Sequence, residues 1–327
     1  MTSEFGSPAH FPGRLSPRGP AMAQLRQIVQ AHRAWLDQQP EGRRASLTAW
    51  ALNEAELDGV VLRGALLRGC SFLEAKLAAA DLSQAVLIRC DFSQAVLAGA
   101  DLGGAELKSC VFDGCLLSEG GLIEVRAHGC RFRRALLREA RLMDAVFHEC
   151  DFTGAALTAA SLHYADLGAS DFSDGELEEA LLYHARAGGA RFVASRMAKA
   201  NFTSARLQAC DFRLAQLLAA RFPGADLSQS CFSRATLDEC DFRQARLRGA
   251  DFSGASLENA RFDEADLMAA DFRGANLRGA RGMTATQLAR ARTDETTILP
   301  NGKRGAYLKG SGAERPLSRP SRPLPSP

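Results

Sequence analysis

The sequence predicts an all-β solenoid with four-sided coils, and three periodicities predict it. Every fifth residue from Leu47 to Leu277 is Leu or Phe at 44 of 47 successive positions, the exceptions being Ala127, Ala187 and Met197. Phe recurs eleven times running at a spacing of twenty, from Phe72, Phe92 and Phe112 to Phe272. The residue two before each of these centres is nearly always small, as at Ala55, Ala75, Ala80 and Ala275. Neither a helix (period 3.6) nor a strand (period 2) holds a five-residue beat this long without drifting. Stacked short coils do. Four fives make one coil, so residue n lies under residue n + 20 and Phe stacks on Phe along one side. Phe202, Phe222, Phe242 and Phe262 form a second aromatic column towards the C-terminus. Small and large inward residues in alternation fill a narrow interior at crystal-like density.

The units read ADLSQ (80–84), ADLGG (100–104), ADFSG (250–254) and ANLRG (275–279). They resemble the pentapeptide-repeat family, A-(D/N)-L-x-x, and the resemblance covers residues 45–281. It implies a right-handed quadrilateral β-helix, here about twelve coils and ~55 Å long at ~4.8 Å per coil. The motif describes packing and carries no chemistry of its own.

The elements follow in chain order. Residues 1–21, with Pro8, Pro12, Pro17 and Pro20, have no apolar core of a secretory signal and are expected to be a disordered leader, with Met22 as an alternative start. Residues 22–44 form an N-terminal cap and lead-in. Leu25, Ile28, Val29, Trp35 and Leu36 fall at helical spacing over about 22–38, and that stripe would cover the open end of the coil stack. The solenoid occupies 45–281. At the other end, Thr284 and Gln287 form a capping-box pattern that starts a short helix running to about Arg292, within a C-terminal cap over 282–309. The Pro/Ser/Arg-rich residues 310–327 are expected to be a disordered tail.

Eight of nine cysteines (70, 90, 110, 115, 130, 150, 210 and 240) take the small inward position otherwise filled by Ala. Stacked thiols pointing into one packed layer lack the torsion a disulfide needs, so they are expected to be a reduced structural ladder of small hydrophobes. Reduced thiols suit a cytoplasmic protein. The formal charge of +2 conceals a split: residues 45–280 hold 25 Lys and Arg against 32 Asp and Glu, a balance of −7, and the ends supply +9. Neither value gives the clustered basic face of a direct nucleic-acid binder. No run approaches the ~18 apolar residues of a membrane span.

No nucleotide-binding glycine loop, H-E-x-x-H, C-x-x-C or G-x-S-x-G occurs, and Gly302-Lys303 lacks the upstream glycine of a phosphate loop. A straight solenoid also offers no concave site. The expectation is a non-enzyme with no cofactor and no metal. Two surface features are candidates for recognition. His128 and His148 lie twenty apart, and His163 and Tyr164 should sit beside Tyr183 and His184 one coil on, which makes a polar aromatic patch. Val96, Leu116 and Leu136 stack in one outward column, with Val111 on the adjacent side; an exposed apolar strip of this kind marks a partner or dimer surface.

The resemblance implies two roles. One is a rigid scaffold or adaptor for a protein partner, a homodimer included, similar to accessory proteins found with bacterial secretion machines such as type VI systems. The other is a DNA-mimicking protector of a type II topoisomerase, gyrase. That role needs a continuous acidic face, and the best acidic column, Asp91, Asp151, Asp171, Asp211, Asp251 and Asp271, is interrupted by Arg131 and Arg191 and diluted by Val111 and Cys231. The scaffold is the first expectation, with no direct nucleic-acid or membrane partner.

Overall fold

The computed structural model describes residues 20–316. The expected leader lies outside them up to the start of helix α1 (Pro20–Leu36), as does the end of the expected tail, residues 317–327. Between the two caps the chain is a parallel, right-handed, four-sided β-solenoid. Pairing at a constant offset of twenty begins at Ser46↔Leu66 and continues without a break to Arg261↔Arg281, so residues 45–281 make about twelve coils.

One pentad shows how the sequence produces the coil. Phe72 points inward, and the Ala75 N–H turns back to the Phe72 carbonyl at 3.0 Å, which closes the corner. The Ser71 N–H donates to the Trp50 carbonyl of the coil below at 2.8 Å, and the Phe72 N–H donates to the Asp91 carbonyl of the coil above at 2.6 Å. The corner residue Glu74 has φ +57° and sends its N–H upward to the Ser93 carbonyl at 3.0 Å. That left-handed corner recurs in every pentad, and 33 of the 47 corner residues are not glycine. Each such residue costs roughly 1–2 kcal/mol. The cost is met because the corner places the next large side chain in the core and sends its own N–H to the coil above.

The core is a stack of side chains. All Leu and Phe centres are buried, and so are Ala127, Ala187 and Met197. Along the side centred on Phe72, consecutive rings from Phe72 to Phe272 lie 4.6–5.2 Å apart and within 9° of parallel. The coil spacing imposes that distance. The second column meets the first edge-on, as at Phe202–Phe212 (6.2 Å, 86°), and this is the favoured arrangement for ring quadrupoles. Phe147 also reaches edge-on to Phe132 and Phe152, with Ala127 directly below it.

One side of the first six coils differs. There the chain runs as three-residue strands: β1 (Ser46–Thr48), β2 (Leu66–Arg68), β3 (Val86–Ile88), β4 (Glu106–Lys108), β5 (Arg126–His128) and β6 (Val146–His148). The corners that follow these strands lack the backbone bond that Ala75 makes to Phe72, and side chains from the next coil replace it. The thiols of Cys70, Cys90 and Cys110 donate to the carbonyls of Leu47, Leu67 and Leu87 at 3.3–3.5 Å. The Ser170 hydroxyl donates to the Phe147 carbonyl at 2.8 Å and accepts from the Cys150 N–H at 3.1 Å. On this side the six wide corners all have Cys or Ser twenty residues above them (70, 90, 110, 130, 150 and 170), and the next, under Ala190, is tight, with Ser170 N–H to Leu167 carbonyl at 3.1 Å. A thiol above is not enough to open a corner, since Cys210 donates to the Ala187 carbonyl at 2.9 Å while the Ala190 N–H closes on the same oxygen at 2.9 Å. All nine cysteines are free, the eight inward ones buried, and burial pushes the Cys210 thiol up to about 12.

Both ends are closed by helices. α1 buries Leu25 and packs Ile28 and Val29 against the first coil, but Trp35, expected in the buried stripe, is 38% exposed. His32 takes the buried position instead: Nδ1 accepts from the Ala45 N–H at 3.0 Å, and Nε2 lies 3.0 Å from the Arg63 carbonyl. A helix tethered by an imidazole between two backbone groups leaves its indole at the rim of the first coil, stacked on His32 at 5.3 Å and lying over Gly64. At the other end, α2 (Ala285–Arg290) starts at a capping box in which Thr284 and Gln287 satisfy each other's N–H groups, and Leu288 is buried. Residues 310–316, expected in the tail, pack on the C-terminal cap: the Asn301 N–H bonds the Ala313 carbonyl at 3.2 Å, Ala313 is buried, and the Tyr307 hydroxyl donates to Glu314 at 3.1 Å. No helix among the described residues is long and apolar enough to cross a membrane.

Candidate interaction surface

The outward residue before each centre pairs with its counterpart twenty residues on, so each side of the solenoid carries a straight column of side chains. On the side centred on Leu57, Leu77 and Leu97, that column runs Glu56, Lys76, Val96, Leu116, Leu136, Ala156, Glu176 and Arg196, every neighbour bridged in parallel. The expected strip is therefore one continuous stack. Leu116 and Leu136 are each 38% exposed and Val96 is half-buried. Ala156 follows in the column but is buried, with the Arg138–Glu176 ion pair spanning its rung. Among the described residues no other outward column has four apolar side chains in succession. Val111 belongs to the neighbouring side, stacked between Asp91 and Arg131, and does not join the strip.

Ion pairs bound the strip at both ends. Lys76 meets Glu56 at 2.7 Å, while Glu176 meets Arg196 at 2.9 Å and Arg138 at 3.1 Å. Glu178 adds a 2.8 Å contact to Arg196. These charges were not singled out from the sequence, although the twenty-residue spacing that located the strip also locates them.

The polar aromatic residues form two groups. His163 stacks on Tyr183 (4.6 Å, 5°) and Tyr164 on His184 (5.0 Å, 10°), so four rings make a ridge two residues wide along one corner. The Nδ1 of His163 is buried without a hydrogen-bond partner. His128 and His148 pair in register across β5 and β6, on the adjoining side. His148 lies 3.1 Å from Asp166 and His128 lies 3.8 Å from Glu149. No group of three or more His, Cys, Asp or Glu residues among the described residues is arranged to hold a metal ion.

The acidic column stacks as its spacing predicts, but four of its six charges are matched on the spot. Asp151 pairs with Arg133, Asp171 with Arg191, Asp211 with Arg213 and Asp271 with Arg273. The Arg273 hydrogen bond, opposed by partial burial, holds Asp271 below the usual carboxylate range.

HetL from the cyanobacterium Nostoc sp., a pentapeptide repeat protein involved in heterocyst differentiation regulation, shares 23% identity over 83% of this chain and 96% of its own, with a TM-score of 0.29. Trypsin-treated QnrB1, a plasmid-mediated fluoroquinolone resistance protein, shares 22% over 73% and 85%, with a TM-score of 0.27. Rfr23, a pentapeptide repeat protein from the cyanobacterium Cyanothece, shares 29% over 28% and 62%, with a TM-score of 0.25. Superpositions this loose carry no argument about role. No curated protein matches the chain. The model of the pentapeptide repeats matches in eight copies across residues 75–114, 128–174 and 176–281, well over half of the sequence. With its five-residue corners and twenty-residue coils, the chain belongs to the pentapeptide-repeat family.

Proposed function

We propose that this chain is a non-enzymatic scaffold that presents the flat side around Leu116 and Leu136 to a protein partner. The observation that carries the reading is the stack Val96–Leu116–Leu136, apolar and outward, continued by the buried Ala156 and closed at both ends by ion pairs. Burying such a stack is worth ~25 cal/mol per Å² of apolar area, while the flanking charges contribute mainly orientation and encounter rate. The side is already rigid, so little ordering entropy is lost on binding. The duplex-mimicking role fits poorly. Duplex DNA carries about one charge per 1.7 Å, whereas arginines on the same side pair with Asp151, Asp171, Asp211 and Asp271.

Leu116→Glu combined with Leu136→Glu tests the proposal, because both side chains point away from the core and the fold should survive. With circular dichroism unchanged, capture of host proteins by the immobilised chain should fall sharply. Unchanged capture would sink the strip as the binding surface and turn attention to the His163–Tyr183 ridge.

A further inference from the structure

The order of side chains in the strip's column is self-complementary under reversal, and we infer that the partner of this side is a second copy of the same chain, packed antiparallel about a twofold axis. The inference rests on the strip being a docking surface and goes on to name its occupant. The column reads Glu56, Lys76, Val96, Leu116, Leu136, Ala156, Glu176, Arg196. A dyad lying in the contact plane along the strands inverts the order of rungs and leaves each outward column facing its own counterpart. With that dyad midway between the rungs of Leu116 and Leu136, Leu116 faces the second copy's Leu136 and Val96 faces its Ala156. Lys76 then faces its Glu176, and Glu56 faces its Arg196. The exposed leucines meet at the two central rungs, the half-buried Val96 lies over the buried Ala156 on either side of them, and opposite charges meet at both ends.

The charges also fix the register. Moving the dyad to the Leu116 rung sets Glu56 against Glu176; moving it to the Leu136 rung sets Lys76 against Arg196. Either slip opposes like charges, which disfavours it. A parallel arrangement fails as well, because it lays this column over the one two residues on and puts Glu176 beside Glu178 and Leu136 beside Arg138. In the antiparallel register that second column carries no like-charge pair: Ser118 faces Arg138, Ala98 faces Thr158, Ala78 faces Glu178 and Asp58 faces Ala198. The ion pairs within one copy, Glu56–Lys76 and Glu176–Arg196, become halves of a four-charge cluster at each end of the contact.

A second observation falls in the same geometry. Leu214 and Leu218 are 53% and 49% exposed on the rung beyond Arg196. That rung comes level with α1 of the other copy, where Met22, Leu25, Val29, Leu57 and Val60 line a cleft of about 330 Å³. Two outward positions on each of eight rungs give about sixteen contact residues per copy, slightly under the ~20–30 of a standard interface. A contact of that size suits a dimer that forms and dissociates with concentration.

Sedimentation velocity of the full chain across the micromolar range tests the inference. The wild-type chain should shift from monomer to dimer with concentration. Lys76→Glu alone and Glu176→Lys alone should each raise the dimer Kd at least tenfold, because each homodimer then opposes like charges twice. An equimolar mixture of the two variants should dimerise again, since the altered side chains meet each other. Leu116→Glu should leave only monomer. A wild-type chain that stays monomeric throughout, a mixture no better than its components, or a dimer indifferent to Leu116→Glu would overturn the inference. If the chain is monomeric yet the leucine variants still lose a captured host protein, the second copy fails while the docking surface stands.

Discussion

The Cys110 thiol donates to the carbonyl of Leu87, one coil below, at 3.3 Å, and it stands where the corner's own backbone bond is missing. A thiol is a weak donor, so its main effect is shape, and it acts through stacking. A cysteine in the corner under alanine still closes, as at Cys115 and Cys240 (3.2 Å), and alanine under a cysteine closes too, as at Ala190 under Cys210 (2.9 Å), whereas Cys90 under Cys110 leaves β3 extended. Cys110→Ala should let that corner close like the one under Ala190, with the Cys90 N–H turning to the Leu87 carbonyl. The cost should be small, about 1 kcal/mol at the low end for core truncations. Cys110→Ser should keep the corner wide, as Ser170 does over Phe147. Amide exchange at Cys90 distinguishes the two outcomes. Equal protection in both variants would show that the thiol does not set the corner.

Burial should make the ladder chemically silent. Cys231 is the one cysteine of the nine that is not buried, so a small thiol reagent at neutral pH should label about one thiol per native chain and all of them after unfolding. Burial raises the Cys231 pKa too, which makes even that labelling slow. Rapid labelling of several thiols in the folded chain would contradict the packed ladder.

The His32 tether should make the N-terminal cap sensitive to pH. Nδ1 already accepts the Ala45 N–H and so has no room for a second proton, while burial lowers the imidazole pKa from 6.5. A histidine lowered on folding gives its full stabilisation above its unfolded pKa and loses it as pH falls from there towards the folded value. Protection of α1 amides, corrected for intrinsic exchange, should therefore decline between about pH 7 and 5. His32→Ala should remove the decline and lower protection at neutral pH, because the Ala45 N–H and the Arg63 carbonyl lose their partner. A flat pH profile in the wild-type chain would mean that His32 does not hold the cap.

The fold was legible in the sequence to an unusual depth because one inward side chain per pentad fixes both the spacing and the stacking of the coils. Phe72, Phe112 and Phe152 lie where the twenty-residue beat puts them. His32 was not legible: a single polar residue on an apolar helix face carries no periodic signal, and its role depends on the Ala45 and Arg63 backbone. The wide corners left a trace, since Cys and Ser share the column that runs from Cys70 to Ser170, but residue size alone does not say which hydrogen bond a thiol displaces. Val96, Leu116 and Leu136 were visible as a column, and their flanking charges became meaningful once the rungs were aligned. Trp35 was misplaced because helical spacing gives a face and not the tether that rotates it.

The left-handed corners give a contrast between two substitutions. Gly99 has φ +65° with nothing within 4 Å of where a Cβ would stand, so Gly99→Val meets no clash and should still cost about 1–2 kcal/mol from backbone strain. Ala79, at φ +53°, is the converse, and Ala79→Gly should be neutral to stabilising by up to about 1 kcal/mol, the relieved strain being offset by unfolded-state entropy. Paired thermal melts measure the difference. A chain indifferent to Gly99→Val would show that the neighbouring coils dictate the corner regardless of residue.

Phe132 tests whether the solenoid unfolds as one unit. Its ring lies between Phe112 (4.8 Å) and Phe152 (4.7 Å) and takes the edge of Phe147 at 5.8 Å. Phe132→Ala should therefore cost about 3–5 kcal/mol. Phe132→Leu should cost far less, since Leu52 fills the same column two coils before Phe92. In a quasi-one-dimensional stack each coil is stabilised only by its neighbours, so a central defect weakens the coupling between the two halves, whereas a terminal one frays a single end. Denaturant unfolding of Phe132→Ala should broaden or split into two transitions. Phe272→Ala should instead keep the main transition and add a small early loss at the C-terminal coils. Equal single-step shifts from both variants would mean that the coils are coupled over distances longer than neighbour contacts allow.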